Sequence, residues 1–318
     1  MEKAPDFYTL EKHIIALKGR IDVIEESDDA GKKEKIDRLR AEIEKEWEKI
    51  RPGVTTLNIV QIARHPKRPY TLDYIDALFQ DFMEMHGDRR FADDKAIVAG
   101  LAFYKGRTVA VIGHQKGRTT KTRIERNFGQ PNPEGYRKAL RVMQTAEKFG
   151  FPVITLIDTP GAYPGIGGEE RGQAEAIAYN LKIISTLRTP IVNVVIGEGG
   201  SGGGLGIGFG DQLMMLEHSF YSVISPEGCA AILWKDQSAM EKAAENLGIR
   251  AEILLKLGII DKIIPEPPGG AHIDPETTFR NVDRYVGQAL KHLSEKSLED
   301  LLAERYQKIR RQGAFVEE

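Results

Sequence analysis

Residues 190–210 read PIVNVVIGEGGSGGGLGIGFG, and this stretch indicates both the fold class and the chemistry. Its first seven residues are almost all apolar, which is typical of a strand covered on both faces. Nine of the next fourteen residues are glycine, as expected where backbone must approach another group closely. A strand, a glycine loop and a helix start together present free backbone N–H groups. The stretch predicts that main-chain amides stabilise an oxyanion. The alternative is that the glycines only allow close packing of the helix against its neighbours.

Two earlier segments repeat the pattern of an apolar strand that runs into a loop. Residues 108–112 lead into residues 113–117, and residues 152–157 lead into DTPGAYPG at residues 158–165. A helix is expected from Pro133 to Phe149, before the second of these strands. The unit recurs at about 40 residues, which predicts an α/β fold, either a strand-loop-helix superhelix or a parallel sheet.

The composition argues against several classes of protein. The chain has 318 residues and a formal net charge of −2, whereas general nucleic-acid binding favours a basic excess. Cys229 is the only cysteine, which excludes an intrachain disulfide and a thiolate zinc site, and no HxxxH or HxH pair indicates a metal. The N-terminus lacks the apolar run of a signal peptide, and no stretch reaches the roughly 18 apolar residues of a membrane helix. We therefore expect a cytoplasmic protein with no metal of its own and no membrane contact.

The N-terminal residues predict a helical arm. Ile14, Leu17 and Ile21 recur at helical spacing, and the pattern resumes from Ile36 after a break near residues 27–31. Pro52 and Gly53 end the arm. We predict a helical hairpin over residues 1–52 and a second domain over residues 53–318. The pattern leaves open whether the hairpin packs on its own domain or on a partner.

Local signals predict further elements. They are a helix from Thr71 to about Met85, paired strands over 96–103 and 108–113, a helix capped by Ser225, a capping box from Ser238 to Glu241, a strand over 259–264, and helices that begin at Pro275 and Leu298. The last helix is expected to be partly solvated.

The glycine stretch also fits two other motifs weakly. Gly199–Gly203 matches the G-x-S-x-G elbow of serine hydrolases, with Asp211 and His218 following Ser201 in the order of a triad. The extra glycines and the short spacing disfavour that interpretation, so Ser201 is expected to be a small residue or a helix cap. The match to the dinucleotide fingerprint is loose, and no strand that ends in an acidic residue follows at about 20 residues.

Two other segments are candidate binding elements. The prolines and glycines of DTPGAYPG predict a rigid turn that presents Tyr163 to a planar group, or alternatively a simple connection, and Glu169–Arg171 are expected to begin the next helix. A basic run is either a phosphate contact or, more simply, a solvated helix face. Its members are Lys116, Arg118, Lys121, Arg123, Arg126, Arg137, Lys138 and Arg141.

Several long motifs occur in order and together resemble one family. They are RHPKRPY at residues 64–70, GDR at 87–89, GHQKGR at 113–118, RNFG at 126–129, PEGYR at 133–137, DTPGAYPG, and GEGGSGG at 197–203. Over roughly residues 55–270 they are similar to the carboxyltransferase alpha subunits of bacterial acetyl-CoA carboxylase. The resemblance implies a crotonase-like superhelix of ββα units.

The resemblance also implies an activity and its partners. Carboxyl would pass from carboxybiotin, held by a biotin carboxyl carrier protein, to acetyl-CoA and give malonyl-CoA, the first committed step of fatty acid synthesis. A separate zinc-containing beta subunit would complete each active site in an α2β2 heterotetramer, within a larger complex that includes biotin carboxylase. This chain would mainly hold the biotin end and the beta subunit the acyl-CoA.

The family's site residues map onto the two glycine-rich loops. The resemblance implies that the backbone amides of Gly202 and Gly203 form an oxyanion hole for the ureido oxygen, while biotin itself supplies the base. It implies substrate and biotin contacts at Gly161, Ala162, Tyr163, Gly165, Gly199, Gly200 and Ser201. The remaining alternatives are a subunit of a related biotin-dependent acyl-CoA decarboxylase and a non-catalytic docking scaffold.

Overall fold

The computed structural model describes residues 7–27 and 31–313. Within them the helices are α1 (Phe7–Leu10), α2 (Lys12–Glu25), α3 (Lys32–Ile50), α4 (Thr56–Ala63), α5 (Thr71–Leu78), α6 (Thr120–Glu125), α7 (Pro133–Phe149), α8 (Ile166–Glu170), α9 (Gln173–Ile184), α10 (Ser201–Leu205), α11 (Pro226–Leu233), α12 (Met240–Leu247), α13 (Ala251–Lys256), α14 (Pro275–Ser294) and α15 (Leu298–Arg310). The strands are β1 (Gln80–Glu84), β2 (Ile97–Tyr104), β3 (Arg107–His114), β4 (Val153–Thr159), β5 (Ile191–Gly200), β6 (Gln212–Leu216), β7 (Phe220–Ser222) and β8 (Lys262–Ile264).

The described strands form one mixed sheet in the order β1-β2-β3-β4-β5-β6-β8, and β7 pairs with the far end of β5. The hairpin β2–β3 is antiparallel, and from β3 onward the neighbouring strands run parallel. Parallel neighbours bring the carboxyl ends of β4 and β5 to the same edge of the sheet. The predicted α/β class with a parallel sheet is confirmed.

Helices cover both faces of the sheet, which explains the continuous apolar strands. On one face, residues such as Ile112 and Val195 pack with Met143 of α7. On the other face, Val111 and Val194 lie in the core that includes residues of α5 and α14. Alternate residues of each strand therefore enter different cores, and both cores fix the loops at the strand ends.

The N-terminal helices form the predicted hairpin and pack on their own chain. Ile14 and Ile43 lie in the same buried cluster as Ile62 of α4 and Ile273. The part of the predicted turn at residues 28–30 lies outside the described residues. The division between arm and domain near residue 52 remains a proposal, and it falls in a short 3₁₀ turn at Arg51–Gly53.

Several predicted elements are confirmed, and one helix is shorter than predicted. The hairpin β2–β3, helix α7 and the Ser225 cap agree with the sequence patterns, since the Ser225 hydroxyl accepts the Gly228 N–H. The helix expected from Thr71 to Met85 ends at Leu78 because Phe79 is extended and the residues after it pair with β2 as an edge strand. Pairing of these residues with β2 outweighs the helical pattern there.

Three smaller predictions near helix ends are wrong. Ser238 forms no capping box, because its N–H and hydroxyl both bind the carboxylate of Asp236 and α12 begins only at Met240. The strand expected from residue 259 begins at Lys262, since the N–H of Ile259 donates to the end of α13 instead. Residues 169 and 170 end α8 rather than begin a helix, and α9 begins after Gly172, whose φ is +81°.

The last helix is partly solvated, as predicted, and it also carries a buried arginine. Arg305 of α15 pairs with Asp211 at 2.7 Å and donates to the carbonyl oxygens of Ile184, Leu187 and Thr189. These contacts attach α15 to the ends of α9 and β5. None of the described helices combines the length and apolar content that a membrane-spanning segment needs.

Candidate functional site

Two glycine-rich loops meet backbone to backbone where β4 and β5 end. A Cβ on Gly203 would lie 2.4 Å from the carbonyl carbon of Gly161, and a Cβ on Gly200 would lie 2.3 Å from the carbonyl oxygen of Pro160. Real Cβ atoms essentially never approach so closely, so glycine is required for the contact. The structure therefore brings together the two loops that the sequence indicated separately.

The glycine stretch begins inside the strand rather than after it. Strand β5 extends to Gly200, which is the N-cap of α10, and Ser201 follows with a left-handed φ of +50°. A positive φ is uncommon outside glycine and marks a sharp change of chain direction. Ser201 makes that turn and is not the helix cap that the sequence suggested. Gly202 and Gly203 lie in the first turn of α10, where backbone N–H groups have no acceptor within the helix.

The two glycines of this turn have different surroundings. A Cβ on Gly202 would meet only Ile177 of α9, at an ordinary 3.4 Å, whereas Gly203 is pressed against the backbone of Gly161 and Ala162. One side of the turn is therefore comparatively open, and the other is fixed by the opposing loop.

Tyr163 folds back onto its own loop. Its backbone N–H donates to the carbonyl of Pro131, and its ring lies where a Cβ on Gly165 would be, 2.3 Å from the phenolic oxygen. The half-buried ring thus packs across Gly165 and close to Gly168. This packing gives the turn the rigidity that the prolines and glycines predicted.

A buried chain of charges connects the two loops beneath the glycines. The Lys116 ammonium lies 2.7 Å from Asp158 and 3.3 Å from Glu198, and the Glu198 N–H donates to Asp158. Arg64 extends the chain, with contacts of 2.9 Å to Glu198 and 2.6 Å to Glu227. All of these residues except Glu227 come from the sequence motifs. The charges link Asp158 at the end of β4 to Glu198 in β5 and so set the position of one strand end relative to the other.

Lys116 stays charged despite its burial. Desolvation acts to lower the pKa of Lys116, but the carboxylates of Asp158 and Glu198 outweigh it and hold the pKa above its usual value. Lys116 is therefore a structural cation at neutral pH. A buried cation that lost its carboxylates, or buried carboxylates that lost the cation, would be strongly destabilised.

His114 lies beneath the glycine turn as a neutral side chain. Burial lowers the pKa of His114 to about 3, and its Nδ1 accepts the backbone N–H of Asp158 at 3.4 Å. The remaining ring proton is therefore on Nε2, which has no hydrogen-bond partner of good geometry among the described residues. The Tyr136 hydroxyl donates to the nearby carbonyl of Gly203 at 3.5 Å.

Most members of the basic run make hydrogen bonds or ion pairs within this chain. Lys138 is fully buried against Asp93, and Arg137 pairs with Asp88 at 2.7 Å. Arg118 pairs with Asp73 and lies over the ring of Tyr70. Three others donate to backbone carbonyls, namely Arg123, Arg126 and Arg141. Neither a phosphate contact nor a solvated helix face describes the run as a whole.

The side chains required for a serine hydrolase are engaged elsewhere. Asp211 accepts from Arg305 and from the backbone N–H of Ile191. His218 lies against Glu266, with its Nδ1 3.4 Å from the carboxylate. Ser201 therefore has no triad with these two residues, as the spacing indicated.

One cluster of possible metal ligands was missed by the sequence pattern. Glu11 of the arm meets His65 at 3.4 Å and His272 at 2.8 Å. The two imidazole rings stack with centroids 3.8 Å apart, so the in-plane lone pairs of their nitrogens run side by side and do not converge on one ion. The Lys67 N–H also donates to Nδ1 of His65, which leaves the ring proton on the nitrogen that faces Glu11. We call these three residues the clasp, because they join the N-terminal helices to the remainder of the described chain.

Solved structures of low sequence identity show that the chain has a crotonase-like fold. The transcarboxylase 12S crystal structure with methylmalonyl-CoA and methylmalonic acid bound matches with a TM-score of 0.59 at 18% identity, over 74% of this chain and 44% of that one. The chain thus spans less than half of that protein. A Pseudomonas malonate decarboxylase hetero-tetramer in complex with coenzyme A matches with a TM-score of 0.57 at 16% identity, over 70% of this chain and 91% of that one. The predicted crotonase-like fold is confirmed.

The sequence comparisons narrow this class to one family. Residues 7–313 match the family described as acetyl co-enzyme A carboxylase carboxyltransferase-like. An acetyl-coenzyme A carboxylase carboxyl transferase subunit alpha from Thioalkalivibrio sulfidiphilus is 53% identical over 98% of this chain and 99% of its own. A subunit of the same name from Neisseria gonorrhoeae (strain ATCC 700825 / FA 1090) is 52% identical over 99% of this chain and 99% of its own. A third, from a Marinomonas species, is 60% identical over 80% of this chain and 81% of its own. The chain belongs to the acetyl-CoA carboxylase carboxyltransferase alpha-subunit family.

Proposed function

We propose that this chain is the alpha half of a carboxyltransferase that moves a carboxyl group from carboxybiotin to acetyl-CoA and yields malonyl-CoA. The observation that carries the proposal is the family match across residues 7–313. Relatives named for this activity share about half of their residues with the chain over almost its full length. The touching backbones of Gly161 and Gly203 supply a rigid frame for such a reaction.

Within this frame, we propose that the amides of Gly202 and Gly203 form the oxyanion hole. Both lie in the first turn of α10, so their N–H groups are available to an oxygen that gains negative charge. The loop that carries Gly161 presses on Gly203 and holds its amide in place. Preorganised donors of this kind need no rearrangement during the reaction.

The same surface fits the ureido end of biotin. The adjacent N–H groups of Gly202 and Gly203 in the first turn of α10 suit the single oxygen of a small planar group. Residues Gly161, Ala162, Tyr163 and Gly165 on one loop, with Gly199, Gly200 and Ser201 on the other, would border it. Bound carboxybiotin would supply the carboxyl group and, after losing it, the base for the acetyl methyl proton. The chain's own amides would donate to the oxygen on which charge develops.

We further propose the partners that complete the site. The alpha chain would pair with a zinc-containing beta subunit in an α2β2 heterotetramer and receive carboxybiotin from a biotin carboxyl carrier protein charged by biotin carboxylase. A cytoplasmic location is part of the same proposal and is supported by the single buried cysteine, Cys229.

Reconstitution tests the proposed function. The chain would be mixed with a beta subunit and assayed for malonyl-CoA formed from acetyl-CoA and carboxybiotin, with each subunit alone as the control. We expect turnover only in the mixture, because half of each site would come from each chain. Confirmed assembly without turnover would favour a docking scaffold, and full turnover by the alpha chain alone would contradict the shared site. Preferential decarboxylation of malonyl-CoA or glutaconyl-CoA would favour the decarboxylase alternative.

A further inference from the structure

Four arginines surround a pocket on the outer face of α7 and α9, apart from the glycine loops. The pocket, here called the basic pocket, has a volume of about 270 Å³. Arg137 and Arg141 line it from α7, Arg89 and Arg90 from the preceding loop, and Tyr179 from α9. Asp88 and Glu175 also line it, so the arginines exceed the carboxylates by two.

Some charged groups of the basic pocket have ion-pair partners in this chain and others do not. Asp88 is committed to Arg137, 2.7 Å away, and to the backbone N–H groups of residues 90–92. Arg141 donates only to the carbonyl oxygens of residues 85–87 and has no carboxylate partner among the described residues. Its pKa is lowered by burial and by the neighbouring charge of Arg89. Arg89 and Arg141 both donate to the carbonyl oxygen of His86, so two like charges lie close together, and within the described residues no carboxylate forms an ion pair with Arg141.

The loop that carries Arg89 and Arg90 is held in a set conformation. Arg89 has a left-handed φ of +63°, and the buried Asp88 carboxylate fixes the following turn through three backbone N–H groups. One Arg89 nitrogen donates to the carbonyl of His86, and the Arg90 side chain makes no hydrogen bond or ion pair within the described part of the chain. Guanidinium donors are thus left available on a preorganised loop.

We propose that the basic pocket binds a small anion that carries a phosphate or diphosphate group. Guanidinium groups present paired N–H donors that match phosphate oxygens, and several in one cleft favour a multiply charged anion over a single carboxylate. The pocket accommodates a small phosphate ligand rather than a polymer. The ligand is either a free diphosphate or the phosphate end of a nucleotide, since both present the same group.

Isothermal titration of the full chain with pyrophosphate, ADP and succinate in magnesium-free buffer tests this site. We expect one pyrophosphate per chain, with a Kd below about 1 mM, and much weaker binding of succinate. Tighter binding of ADP than of pyrophosphate would identify a nucleotide as the source of the phosphate, and equal binding would identify the diphosphate alone.

Variants of the two loop arginines provide the decisive comparison. Arg89→Gln combined with Arg90→Gln is expected to weaken pyrophosphate binding at least about tenfold. The matched control, Lys182→Gln with Arg188→Gln, removes the same charge from exposed positions outside the pocket and is expected to leave Kd within about twofold. Arg90→Gln alone guards against misfolding, because that side chain holds no other group in place. Absence of saturable binding, equal weakening by the control pair, or succinate binding as tightly as pyrophosphate would overturn the proposal.

Discussion

Gly202 and Gly203 are adjacent, but substitution by alanine is expected to affect them very differently. The methyl group of Gly203→Ala would lie 2.4 Å from the carbonyl carbon of Gly161 and 2.6 Å from the amide nitrogen of Ala162. Ordinary contact begins at 3.4 Å, so the difference, 3.4 − 2.4, requires the loops to separate by about 1 Å. A misplacement of about 1 Å can cost about 100-fold in rate, and losing one oxyanion donor costs about 10²- to 10³-fold. We therefore expect Gly203→Ala to lower kcat by about 10²-fold or more.

Gly202→Ala is the matched control for that substitution. Its methyl group would meet only Ile177, at 3.4 Å, so we expect kcat within about threefold of the wild type. Malonyl-CoA formation by the complex with the beta subunit measures both variants, and size-exclusion chromatography verifies that each still assembles. Near-normal turnover of an assembled Gly203→Ala complex would refute the proposed role of the loop contact. A larger loss in Gly202→Ala than in Gly203→Ala would contradict the steric reasoning.

Three further predictions concern residues around the glycine loops. Lys116→Met removes the cation between the buried carboxylates of Asp158 and Glu198 and is expected to lower the free energy of unfolding by about 3 kcal/mol. Chemical denaturation measures this loss, and Lys116→Arg is the control that keeps the charge. Equal stability of the wild type and Lys116→Met would disprove the prediction. Ser201→Ala is expected to retain more than about a tenth of kcat, because Ser201 shapes the turn and supplies no nucleophile; abolished turnover in an assembled complex would instead support the hydrolase alternative. His114 has a pKa of about 3 in the folded chain, against an ordinary value of 6.5. Between these two pH values the unfolded chain binds a proton that the folded chain does not. The stability that the neutral His114 contributes is therefore lost as pH falls from 6.5 toward 3. Urea unfolding at pH 7, 6 and 5 should therefore show a shallower pH slope in His114→Gln, by up to about 1.4 kcal/mol per pH unit, and parallel slopes would count against this account.

The sheet and its loops could be predicted from local sequence because their signals are strong. The apolar run before Gly197 and the similar run before Asp158 indicate buried strands, and glycine indicates close backbone contact. The helix that ends at Leu78 was predicted too long, because the pairing of β1 with β2 depends on residues distant in sequence. Likewise, the capping box at Ser238 fails because a nearer acceptor, Asp236, binds its hydroxyl.

The charged part of the site was far less predictable. In the sequence Lys116 is one member of a basic run, but in the structure its ammonium group lies between the carboxylates of Asp158 and Glu198. These partners are more than 40 residues away in sequence, and no local pattern couples a charge to another across strands. The clasp of Glu11 with His272 likewise joins residues that are 261 positions apart in sequence. The motifs indicated which residues are candidates for the site, but only the fold shows which of those residues are in contact.

The clasp also bears on how much of the chain is needed for a stable protein. A version shortened to begin at residue 53 would lose Glu11 and leave the stacked rings of His65 and His272 without their shared acceptor. It would also bare Ile59 and Ile62 of α4, which the hairpin covers. His65 is next in sequence to Arg64, the arginine that holds Glu198. Trimming the arm would thus loosen helix α4, which ends next to Arg64 and the charges under the glycine loops. The described helices of the arm therefore support that edge of the sheet.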